Sequence, residues 1–512
     1  MGDVTMFFRI FITVFVLLLT VPLISASETK PNVILIYTDD VGFGDVSCNV
    51  DKSEIPTPNI DKLAEGGLRF TNAHCTSATC TPSRYALMTG EYPWRKKGTG
   101  VLPGNASAII APGRFTLASL FQKAGYRTKA VGKWHLGLGG NEGPDWNGII
   151  TPSPKEIGFD EHFIIPATVD RVPCVFVENS RVANLDPNDP ISVDYQNKIG
   201  NEPTATERPD LLKMGLTHGH NNTIINGIGR IGFMSGGKSA RWNDETIAEV
   251  ITNNALDFIK DNQSKPFFLY YATHDIHVPR VPHPKFAGKS GHGARGDVIL
   301  QLDDCVGQIT ALLKELKIFD NTLIIFSSDN GPIVDDGYLD GSMENIGNHK
   351  PAGPYRGSKY SKFEAGTRVP FIVHWNSRIK PAVSNALFSQ IDLLASFAAL
   401  VQTDIPEGAA PDSINALPVL LGESQRDRDY NIEQASGLTI ISKGWKYIPP
   451  NNGPAEIKMP KMGGEKPVET GNLNVPQLYK LDEDIAEQKN LAAEHPDIVK
   501  ELDALLKSKQ QN

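Results

Sequence analysis

Acidic, basic and imidazole side chains follow several short apolar runs of this 512-residue sequence, each at the point where the run ends. One such group alone carries little information, because an Asp-Asp pair after a strand is usually part of a turn and a lone histidine is usually a satisfied polar residue. Their recurrence after successive runs instead indicates one shared site. The groups are Asp39, Asp40, Lys133, His135, His274, Asp329 and Asn330.

The apolar runs have the length and composition of buried β-strands, and stretches with helical spacing separate several of them. Asp297–Leu316 is the clearest helix, because its apolar residues fall on one face. This alternation predicts an α/β fold with a large, mostly parallel sheet covered by helices. In such sheets ligands bind outside the carboxyl ends of the strands, which is where the polar groups lie. The predicted strands are Val33–Tyr37, Thr128–Val131, Phe267–Tyr271, Leu323–Phe326 and Val369–Val373.

Four of the polar side chains, Asp39, Asp40, Asp329 and Asn330, are hard oxygen donors. Three carboxylates that converge without a cation repel one another and raise one another's pKa values, so the pattern predicts a bound metal ion. Ca²⁺ fits best, since it accepts about 6–8 oxygens in irregular geometry, whereas Mg²⁺ needs a stricter octahedron and is the second choice. Zinc is disfavoured, because the group has no thiolate and no pair of imidazoles at ligand spacing.

The segment from Cys80 to Gly90 has the sequence CTPSRYALMTG. Pro82 suits the first turn of a helix and Gly90 suits its end. Cys80 is therefore predicted at the amino end, where free N–H groups and the helix dipole favour an anion. For an isolated cysteine, the default interpretation is a buried structural residue. The whole string, however, resembles the signature of type I sulfatases, Cys-x-Pro-Ser-Arg with a Leu-x-Thr-Gly ending.

Companion motifs extend this resemblance to the type I, formylglycine-dependent, arylsulfatase-like family over nearly the whole chain after residue 26. Ser358 and Ala365 stand where the family has glycine. The resemblance implies the alkaline-phosphatase-like fold, with a catalytic domain over residues 27–425 and a smaller C-terminal α+β subdomain over residues 426–512. The motifs are Pro31–Val33 with Asp39–Asp45, Gly132–Gly137, Ser328–Gly331, Arg356–Lys359 with Phe363–Pro370, Leu478–Leu481 and Glu487–Leu491.

The resemblance also implies a nucleophile and a metal site. Cys80 would be oxidised after translation to formylglycine by a maturation enzyme, and one hydroxyl of the hydrated aldehyde would attack the sulfur of a sulfate ester. Asp329 would accept the proton, while the bound cation polarises the sulfate oxygens. The implied metal ligands are Asp39, Asp40, Asp329, Asn330 and the modified Cys80.

Five residues take further implied roles in the same reaction. His274, assisted by Lys359, would protonate the leaving sugar oxygen. His135, near Lys133, would then take the proton of the second hydroxyl so that sulfate leaves. Arg84 would hold the formylglycine, while Lys133 and Lys359 hold the charge of the sulfate.

Composition limits the possible partners. Lysine and arginine number 50 and aspartate and glutamate 59, a formal charge of −9, which argues against a nucleic-acid partner because such a surface needs a basic excess. An anionic substrate therefore needs a locally basic pocket, which Arg84, Lys133 and Lys359 would supply. Five cysteines in a chain of this length exclude a disulfide scaffold.

Residues 1–26 have the pattern of a secretory signal peptide. The apolar run Phe7–Leu23 ends in the small-residue site Ile24-Ser25-Ala26. The run is short for a membrane-spanning helix and lacks a stop-transfer flank. Cleavage and export to the periplasm or the medium are therefore expected, without stable membrane insertion of the mature chain. An uncleaved N-terminal anchor is the alternative.

The region from about 170 to 242 is rich in Gly, Asn, Pro and His and is predicted to form long loops inserted into the fold. Because the catalytic core meets only the sulfate, these loops are expected to rim the pocket and to select the sugar. His277 could touch substrate or support its own loop, and the supporting role is favoured. If the loops are scaffold only, Asp335 and Asp336 are the next candidates for specificity. The candidate substrate contacts are Asp170, Arg171, His218, His220, Lys238, Arg241, Trp242 and His277.

Three classes of function are compatible with these motifs. A sulfatase acting on sulfated carbohydrates, either glycosaminoglycans or mucin-type glycans, is favoured. A phosphomonoesterase or phosphonate hydrolase of the same superfamily is the alternative, but such enzymes more often use two zinc ions with histidine ligands. A catalytically dead binding module would be expected to lack Cys80, Asp329 or His274, and all three are present.

Overall fold

Strands and helices alternate along most of the described chain, which comprises Gly2, residues 30–457 and residues 467–511 of a computed structural model. Apart from Gly2, the predicted signal peptide lies outside the described residues. Among these residues, no helix combines the length and hydropathy that a bilayer span requires. The strands are β1 (Asn32–Thr38), β2 (Leu68–Phe70), β3 (Ala73–His74), β4 (Arg127–Lys133), β5 (Glu161–Ile165), β6 (Val177–Glu178), β7 (Arg181–Val182), β8 (Ser192–Asp194), β9 (Gly215–Leu216), β10 (Ile224–Ile225), β11 (Ile228–Gly229), β12 (Phe233–Ser235), β13 (Phe267–Ala272), β14 (Thr322–Ser328), β15 (Tyr338–Leu339), β16 (Phe371–His374), β17 (Ala382–Ser384), β18 (Phe388–Ser389), β19 (Asn431–Gln434), β20 (Leu438–Ser442), β21 (Trp445–Ile448), β22 (Glu456–Ile457), β23 (Val468–Glu469) and β24 (Gln477–Lys480). The α-helices are α1 (Pro58–Glu65), α2 (Cys80–Thr89), α3 (Leu117–Lys123), α4 (Ile247–Asp261), α5 (Gly293–Glu315), α6 (Glu364–Thr367), α7 (Leu393–Leu400), α8 (Leu417–Leu420) and α9 (Pro496–Gln511).

Ten strands form one mixed sheet, in the order β17-β2-β16-β14-β1-β13-β4-β5-β6-β7. Its central strands β14, β1, β13, β4 and β5 run parallel, and antiparallel pairs lie toward both margins. In register, Ile34 of β1 lies opposite Leu269 of β13 and Ile324 of β14. All three side chains are buried, as in parallel sheets that are covered on both faces. The predicted α/β fold with a large, mostly parallel sheet is confirmed.

Helices cover both faces of this sheet. Phe267 and Phe268 are consecutive in β13 and therefore point to opposite faces. Phe267 packs edge-on against Phe258 of α4, with ring centroids 5.7 Å apart, whereas Phe268 stacks on Phe121 of α3 at 4.3 Å. On the first face α5 packs against α1 and α4, and on the second α2, α3 and α7 pack together.

The five predicted strands are all present, and their ends differ from the predictions by only one or two residues. The last begins at Phe371 instead of Val369, because Pro370 has no N–H to donate to a ladder. The helix predicted over 297–316 already begins at Gly293. The sequence pattern therefore predicts the elements better than their boundaries.

A second, antiparallel sheet, β19-β20-β21-β24, forms much of the C-terminal part of the chain, and α9 packs against β20 and β21. Its buried Lys446 connects it to the rest of the molecule. Lys446 Nζ lies 2.8 Å from Glu364 Oε1, 3.3 Å from Glu433 Oε2 and 3.7 Å from Glu487 Oε1. Because Glu364 follows Lys359 by five residues, this ion cluster ties the C-terminal sheet to a segment that carries a predicted site residue.

The region 170–242 contains short strands as well as loops. β6 and β7 extend the edge of the central sheet, while β8 pairs with β12 and β10 with β11 in two-stranded ribbons. Strands of two or three residues are too short to leave a periodic signal in a sequence. This explains why the sequence analysis predicts loops alone.

Candidate active site

Three carboxylates meet at the carboxyl edge of the central sheet. β1 is followed by Asp39 and Asp40, and the neighbouring parallel strand β14 is followed by Asp329. Each of the three residues offers an oxygen within 4.8 Å of the other two, and all three are fully buried. Asp40 has a φ of 61°, a backbone conformation that non-glycine residues adopt only where the surrounding structure enforces it. The fold thus brings the predicted metal-ligand carboxylates together.

Three buried cationic side chains pair with these carboxylates. They come from three separate elements, because Arg84 lies on α2, Lys133 ends β4 and Lys359 lies in the loop before α6. The charges are therefore assembled by the tertiary fold. The shortest contacts are Lys133 Nζ to Asp39 Oδ2 (2.5 Å), Arg84 Nε to Asp329 Oδ2 (2.8 Å) and Lys359 Nζ to Asp40 Oδ2 (3.0 Å).

Burial and ion pairing act in opposite directions on the pKa values of this cluster. Burial raises the pKa of Asp39, and Lys133 offsets that shift only in part. Burial also acts upward on Asp40, but Lys359 and further positive charges outweigh it and hold the pKa of Asp40 below its usual value. For Lys133, burial favours the neutral amine, yet Asp329 and Asp39 raise its pKa. Lys133 therefore remains charged. Its charge compensates the burial of Asp39 only in part.

Three buried oxygens of the cluster lack a hydrogen-bond partner among the described residues. They are Oδ1 of Asp39, of Asp329 and of Asn330. Asn330 turns its amide nitrogen toward Asp40 instead, and donates to Asp40 Oδ1 at 2.7 Å. A buried unpaired carboxylate oxygen is costly unless a cation binds it. The donor chemistry consists of hard oxygens only, so the residues fit an oxygen-loving divalent cation of the Ca²⁺ or Mg²⁺ type.

Cys80 begins α2, as predicted, and Gly90 ends the helix in the left-handed conformation with a φ of 63°. The Cys80 side chain is buried, and its sulfur lies within 4.8 Å of a carboxylate oxygen of Asp39 and a ring nitrogen of His277. Burial raises the pKa of the Cys80 thiol to about 12, although Lys133 acts against it. At neutral pH the unmodified thiol therefore stays protonated and is a poor nucleophile.

His135 lies at the carboxyl end of β4 with one nitrogen committed and one free. Its Nε2 donates to the backbone carbonyl of Leu102 at 2.9 Å, while Nδ1 has no partner among the described residues. Burial, followed by the charges of Lys133 and Arg171, holds the pKa of His135 well below its usual value. A neutral imidazole with a free Nδ1 is suited to accept a proton.

Two further candidate histidines, His274 and His277, lie in the loop that follows β13. His274 is buried, and neither of its ring nitrogens has a hydrogen-bond partner among the described residues. Its Nε2 lies 3.8 Å from Asp275 Oδ1, beyond hydrogen-bond distance. His277 donates from Nδ1 to the carbonyl of Val278 at 2.7 Å, and its Nε2 lies 3.9 Å from Asp40 Oδ2. His277 is thus part of the polar cluster as well as of its own loop.

A family model described as Sulfatase matches residues 31–403 of the chain. This chain belongs to the sulfatase family. The activity of the family, sulfuric ester hydrolysis, is its activity too, and the predicted alkaline-phosphatase-like fold is confirmed.

Individual relatives agree with the family model. The chain is 55% identical to an N-acetylgalactosamine-6-O-sulfatase of Bacteroides thetaiotaomicron, over 94% of this chain and 93% of the relative. It is 32% identical to human arylsulfatase A, over 79% of this chain and 70% of the relative. A solved structure described under the metabolism of multiple glycosaminoglycans by Bacteroides thetaiotaomicron is 54% identical, with a TM-score of 0.92, and covers 94% of this chain and 100% of that chain.

Two polar side chains at this candidate site, Tyr270 and Tyr360, were missed by the sequence analysis, and Asp336 was named only as a fallback candidate for specificity. Tyr270 of β13 accepts a hydrogen bond from Arg84 Nη1 at 2.9 Å. Asp336 accepts from Lys359 Nζ at 2.9 Å, and the hydroxyl of Tyr360 donates to Asp336 Oδ1 at 3.2 Å. Tyr270 lies within a run of apolar residues, so its polar role leaves no signal in the sequence. Asp336 follows Asp329 by seven residues and Tyr360 is next to Lys359, and this proximity to site residues could have indicated both.

Part of the inserted region reaches the site. Asp170 is buried and holds Arg171, whose Nη1 lies 2.8 Å from Asp170 Oδ1. His220 Nε2 lies 3.0 Å from Asp170 Oδ2. Arg171 is close enough to His135 for its charge to lower the pKa of that histidine. Asp170, Arg171 and His220 therefore form one connected unit beside the pocket.

The other candidate contacts of this region lie elsewhere. Trp242 is buried in the apolar core and packs against Phe176, with ring centroids 5.7 Å apart, so its ring is not available to a sugar. Arg241 is occupied by Glu202, at 2.5 Å, and by the carbonyl of Gly236. Lys238 is exposed to solvent, and His218 is partly buried next to Thr217. The structure brings none of these four to the carboxylate cluster.

Proposed function

We propose that this sulfatase removes the 6-O-sulfate from N-acetylgalactosamine units of sulfated glycans, glycosaminoglycans in particular. The observation that supports this choice is the 55% identity, over 94% of the chain, to an enzyme named for that reaction. Human arylsulfatase A, which is also named as a sulfatase, is less similar, at 32% identity. The similarity to the N-acetylgalactosamine-6-O-sulfatase spans 94% of this chain and 93% of that relative, so it is not confined to the catalytic motifs.

The proposed cofactors are formylglycine, formed from Cys80 by a maturation enzyme, and Ca²⁺. Formylglycine supplies an aldehyde hydrate as nucleophile, and Ca²⁺ supplies positive charge against the sulfate oxygens. The residues that would hold the cation are Asp39, Asp40, Asp329, Asn330 and the modified Cys80. Three of them present the unpartnered oxygens described above, which supports this assignment.

Charge bookkeeping supports the same assignment. Four buried carboxylates face three buried cationic side chains, so their formal charges sum to −1. A net negative charge repels the anionic sulfate ester that the enzyme is proposed to bind. A divalent cation reverses that sign and makes the pocket attractive to a sulfate monoester. The carboxylates are Asp39, Asp40, Asp329 and Asp336, and the cationic residues are Arg84, Lys133 and Lys359.

The side chains of this chain then have separate tasks. Arg84 and Lys133 both contact Asp329 Oδ2, which leaves Oδ1 without a partner among the described residues, so that it could bind the cation or accept a proton. His274, whose ring nitrogens have no hydrogen-bond partner among the described residues, would donate a proton to the leaving sugar oxygen. His135 would accept a proton at Nδ1 when sulfate leaves, because its Nε2 already donates to the carbonyl of Leu102.

The phosphomonoesterase alternative is not favoured. Among the described residues, the metal-capable groups at this edge of the sheet combine carboxylates with a single histidine, His277, and a single thiol, Cys80. A two-zinc site built on histidine ligands would need more imidazoles. A site dominated by carboxylates fits the sulfatase assignment better.

A panel of defined substrates tests the proposal. We expect kcat/KM to be highest for N-acetylgalactosamine 6-sulfate, and at least about tenfold lower for the 4-sulfate and for N-acetylglucosamine 6-sulfate. 4-Nitrophenyl sulfate should be cleaved and 4-nitrophenyl phosphate hardly at all. Faster release of phosphate than of sulfate would favour the alternative, and equal rates on all three sugars would remove the substrate assignment.

Arg171→Ala is expected to lower kcat/KM for N-acetylgalactosamine 6-sulfate by about 10- to 100-fold, and that for 4-nitrophenyl sulfate by less than about threefold. The reason is that Arg171 belongs to the unit beside the pocket, whereas recognition of the small ester ends at the sulfate. Arg241→Ala is the matched control, because Arg241 is already paired with Glu202. Equal losses on both substrates would assign Arg171 to the scaffold.

Export belongs to the same proposal. The apolar run Phe7–Leu23 and the small-residue site before Ser27 support a cleaved signal peptide and a periplasmic or secreted enzyme. Polymeric sulfated glycans are met outside the cytoplasm, so an exported enzyme matches the proposed substrate.

A further inference from the structure

Lys359 is shared between two carboxylates at the edge of the metal cluster. Its ammonium nitrogen lies 3.0 Å from Asp40 Oδ2 and 2.9 Å from Asp336 Oδ2. Lys359 is almost completely buried, and so is Asp40. Asp336 is the third member of a group in which oxygens of Asp40 and Asp336 and a nitrogen of His277 lie within 4.8 Å of one another.

The two carboxylates cannot have the same task once a cation binds. A ligand such as Asp40 directs its charge to the metal, so a buried ammonium beside it needs another counter-charge. Asp336 is the carboxylate that can supply it. Without Asp336, Lys359 would be left with Asp40 alone and would compete with the cation for that oxygen.

We infer that Asp336 is a positioning residue, which holds Lys359 toward the sulfate and keeps Asp40 free for the metal. This inference rests on the proposed function, because it assumes a divalent cation at Asp40. It assigns Asp336 a role through Lys359 and not a contact with the sugar.

The loop that carries Asp336 is held by two fully buried arginines. Arg280 Nη2 donates to the carbonyl of Ile333 at 2.9 Å and its Nη1 to that of Val334 at 2.7 Å. Arg295 Nη1 also donates to the carbonyl of Ile333, at 2.7 Å. Fixed guanidinium donors on consecutive carbonyls leave the backbone before Asp336 little freedom. Asp336 is therefore placed by a rigid support, as positioning requires.

Arg280 also links this loop to the catalytic histidine loop. Its Nε donates to the carbonyl of Ile276 at 3.0 Å, two residues after His274. One guanidinium thus fixes the loop of Asp336 relative to the loop of His274. Arg280 therefore fixes the positions of His274, the proposed proton donor, and Asp336 relative to each other.

Tyr360 supports Asp336 from the other side. Its hydroxyl donates to Asp336 Oδ1 at 3.2 Å, and Lys359 Nζ lies 5.4 Å from the centre of its ring. Tyr360 has a φ of 74°, which is rare for a bulky residue, and its backbone N–H donates to the carbonyl of Ala78 at 2.9 Å. In this conformation the tyrosine hydroxyl reaches the carboxylate of Asp336.

The test measures calcium affinity and turnover in the full-length, purified enzyme. Asp336→Asn keeps the shape of the side chain but removes its charge. We expect it to weaken Ca²⁺ binding, measured by titration calorimetry, by about 10- to 100-fold. At saturating Ca²⁺ it should still lower kcat for 4-nitrophenyl sulfate by about tenfold or more. Asp336→Glu should recover part of both losses, and Tyr360→Phe should give smaller losses of the same kind.

Asp335→Asn is the matched control. Asp335 is the adjacent buried carboxylate, but it accepts from Thr217 and from the N–H of Gly337 and does not touch Lys359. It should leave Ca²⁺ affinity within about twofold of the parent value. Circular dichroism and thermal melting of every variant verify folding, and Tyr360→Phe carries the test if Asp336→Asn is unstable.

Two results would overturn the inference. If Asp336→Asn binds Ca²⁺ and cleaves 4-nitrophenyl sulfate as the parent enzyme does, Asp336 does not position Lys359. If it loses only turnover of N-acetylgalactosamine 6-sulfate, Asp336 is a sugar contact instead. Failure of the parent enzyme itself to bind Ca²⁺ or to cleave any sulfate ester would refute the proposed function, and it is visible before any variant is compared.

Discussion

Cys80→Ala is expected to lower the turnover of 4-nitrophenyl sulfate by more than about 10³-fold, without loss of the fold. Burial raises the pKa of the thiol to about 12, so the unmodified cysteine has almost no thiolate at neutral pH. The proposed nucleophile is therefore a modified Cys80, and alanine offers nothing to modify. Initial rates and a thermal melt measure the two halves of this expectation.

Cys75→Ser is the matched control for this substitution. Cys75 is buried five residues earlier, with its sulfur 3.2 Å from the carbonyl oxygens of Ser77 and Thr367, and a hydroxyl can replace it as donor. That variant should keep turnover within a fewfold of the parent value. Intact mass of the active parent should also show Cys80 converted to the aldehyde, roughly 18 Da lighter. Full activity in wholly unmodified protein, or in Cys80→Ala, would refute the proposed nucleophile.

Whether the sequence predicts a contact of this site depends on how far apart along the chain the residues that form and support it lie. The carboxylates Asp39 and Asp329 are predictable, because each directly follows an apolar run and parallel strands end at one edge. The contact of Asp336 with Lys359 is not, because it depends on Arg280 and other side chains from distant segments. No local pattern encodes a hydrogen bond between a guanidinium and a carbonyl more than 50 residues away.

The inserted region illustrates the same limit. Its polar, glycine-rich composition predicts long loops, and Lys238 is exposed there, at the start of a short 3-10 helix. Trp242 instead packs in the core against Phe176, because an aromatic ring in a loop is buried wherever the neighbouring sheet edge offers apolar surface. Asp170 is buried as well, paired with Arg171 and His220. Composition describes such a region on average, while individual burial depends on its tertiary partners.

Asp329→Ala is expected to lose both the bound cation and the activity, because Asp329 is both a proposed metal ligand and the proposed proton acceptor. Oδ2 lies 2.8 Å from Arg84 Nε and 3.4 Å from Lys133 Nζ, whereas Oδ1 is buried and has no partner in the part of the chain that the structure describes. Removing the carboxylate leaves two buried cationic groups facing the metal position, so a divalent cation is repelled as well as deprived of a ligand. We expect Ca²⁺ affinity to fall by more than about 100-fold and kcat by more than about 10³-fold.

Asp329→Asn separates the two contributions of this residue. The amide keeps an oxygen that can bind the cation but removes the negative charge and the capacity to accept a proton. Saturating Ca²⁺ should therefore restore metal binding to Asp329→Asn but not its turnover. Asp303→Asn is the control, since this carboxylate of α5 accepts backbone N–H bonds from Asn59 and Ile60 outside the cluster. Metal titration and single-turnover rates measure both properties. If Asp329→Asn regained full turnover at saturating Ca²⁺, Asp329 would be a metal ligand only, and the proton acceptor would have to be sought elsewhere in the site.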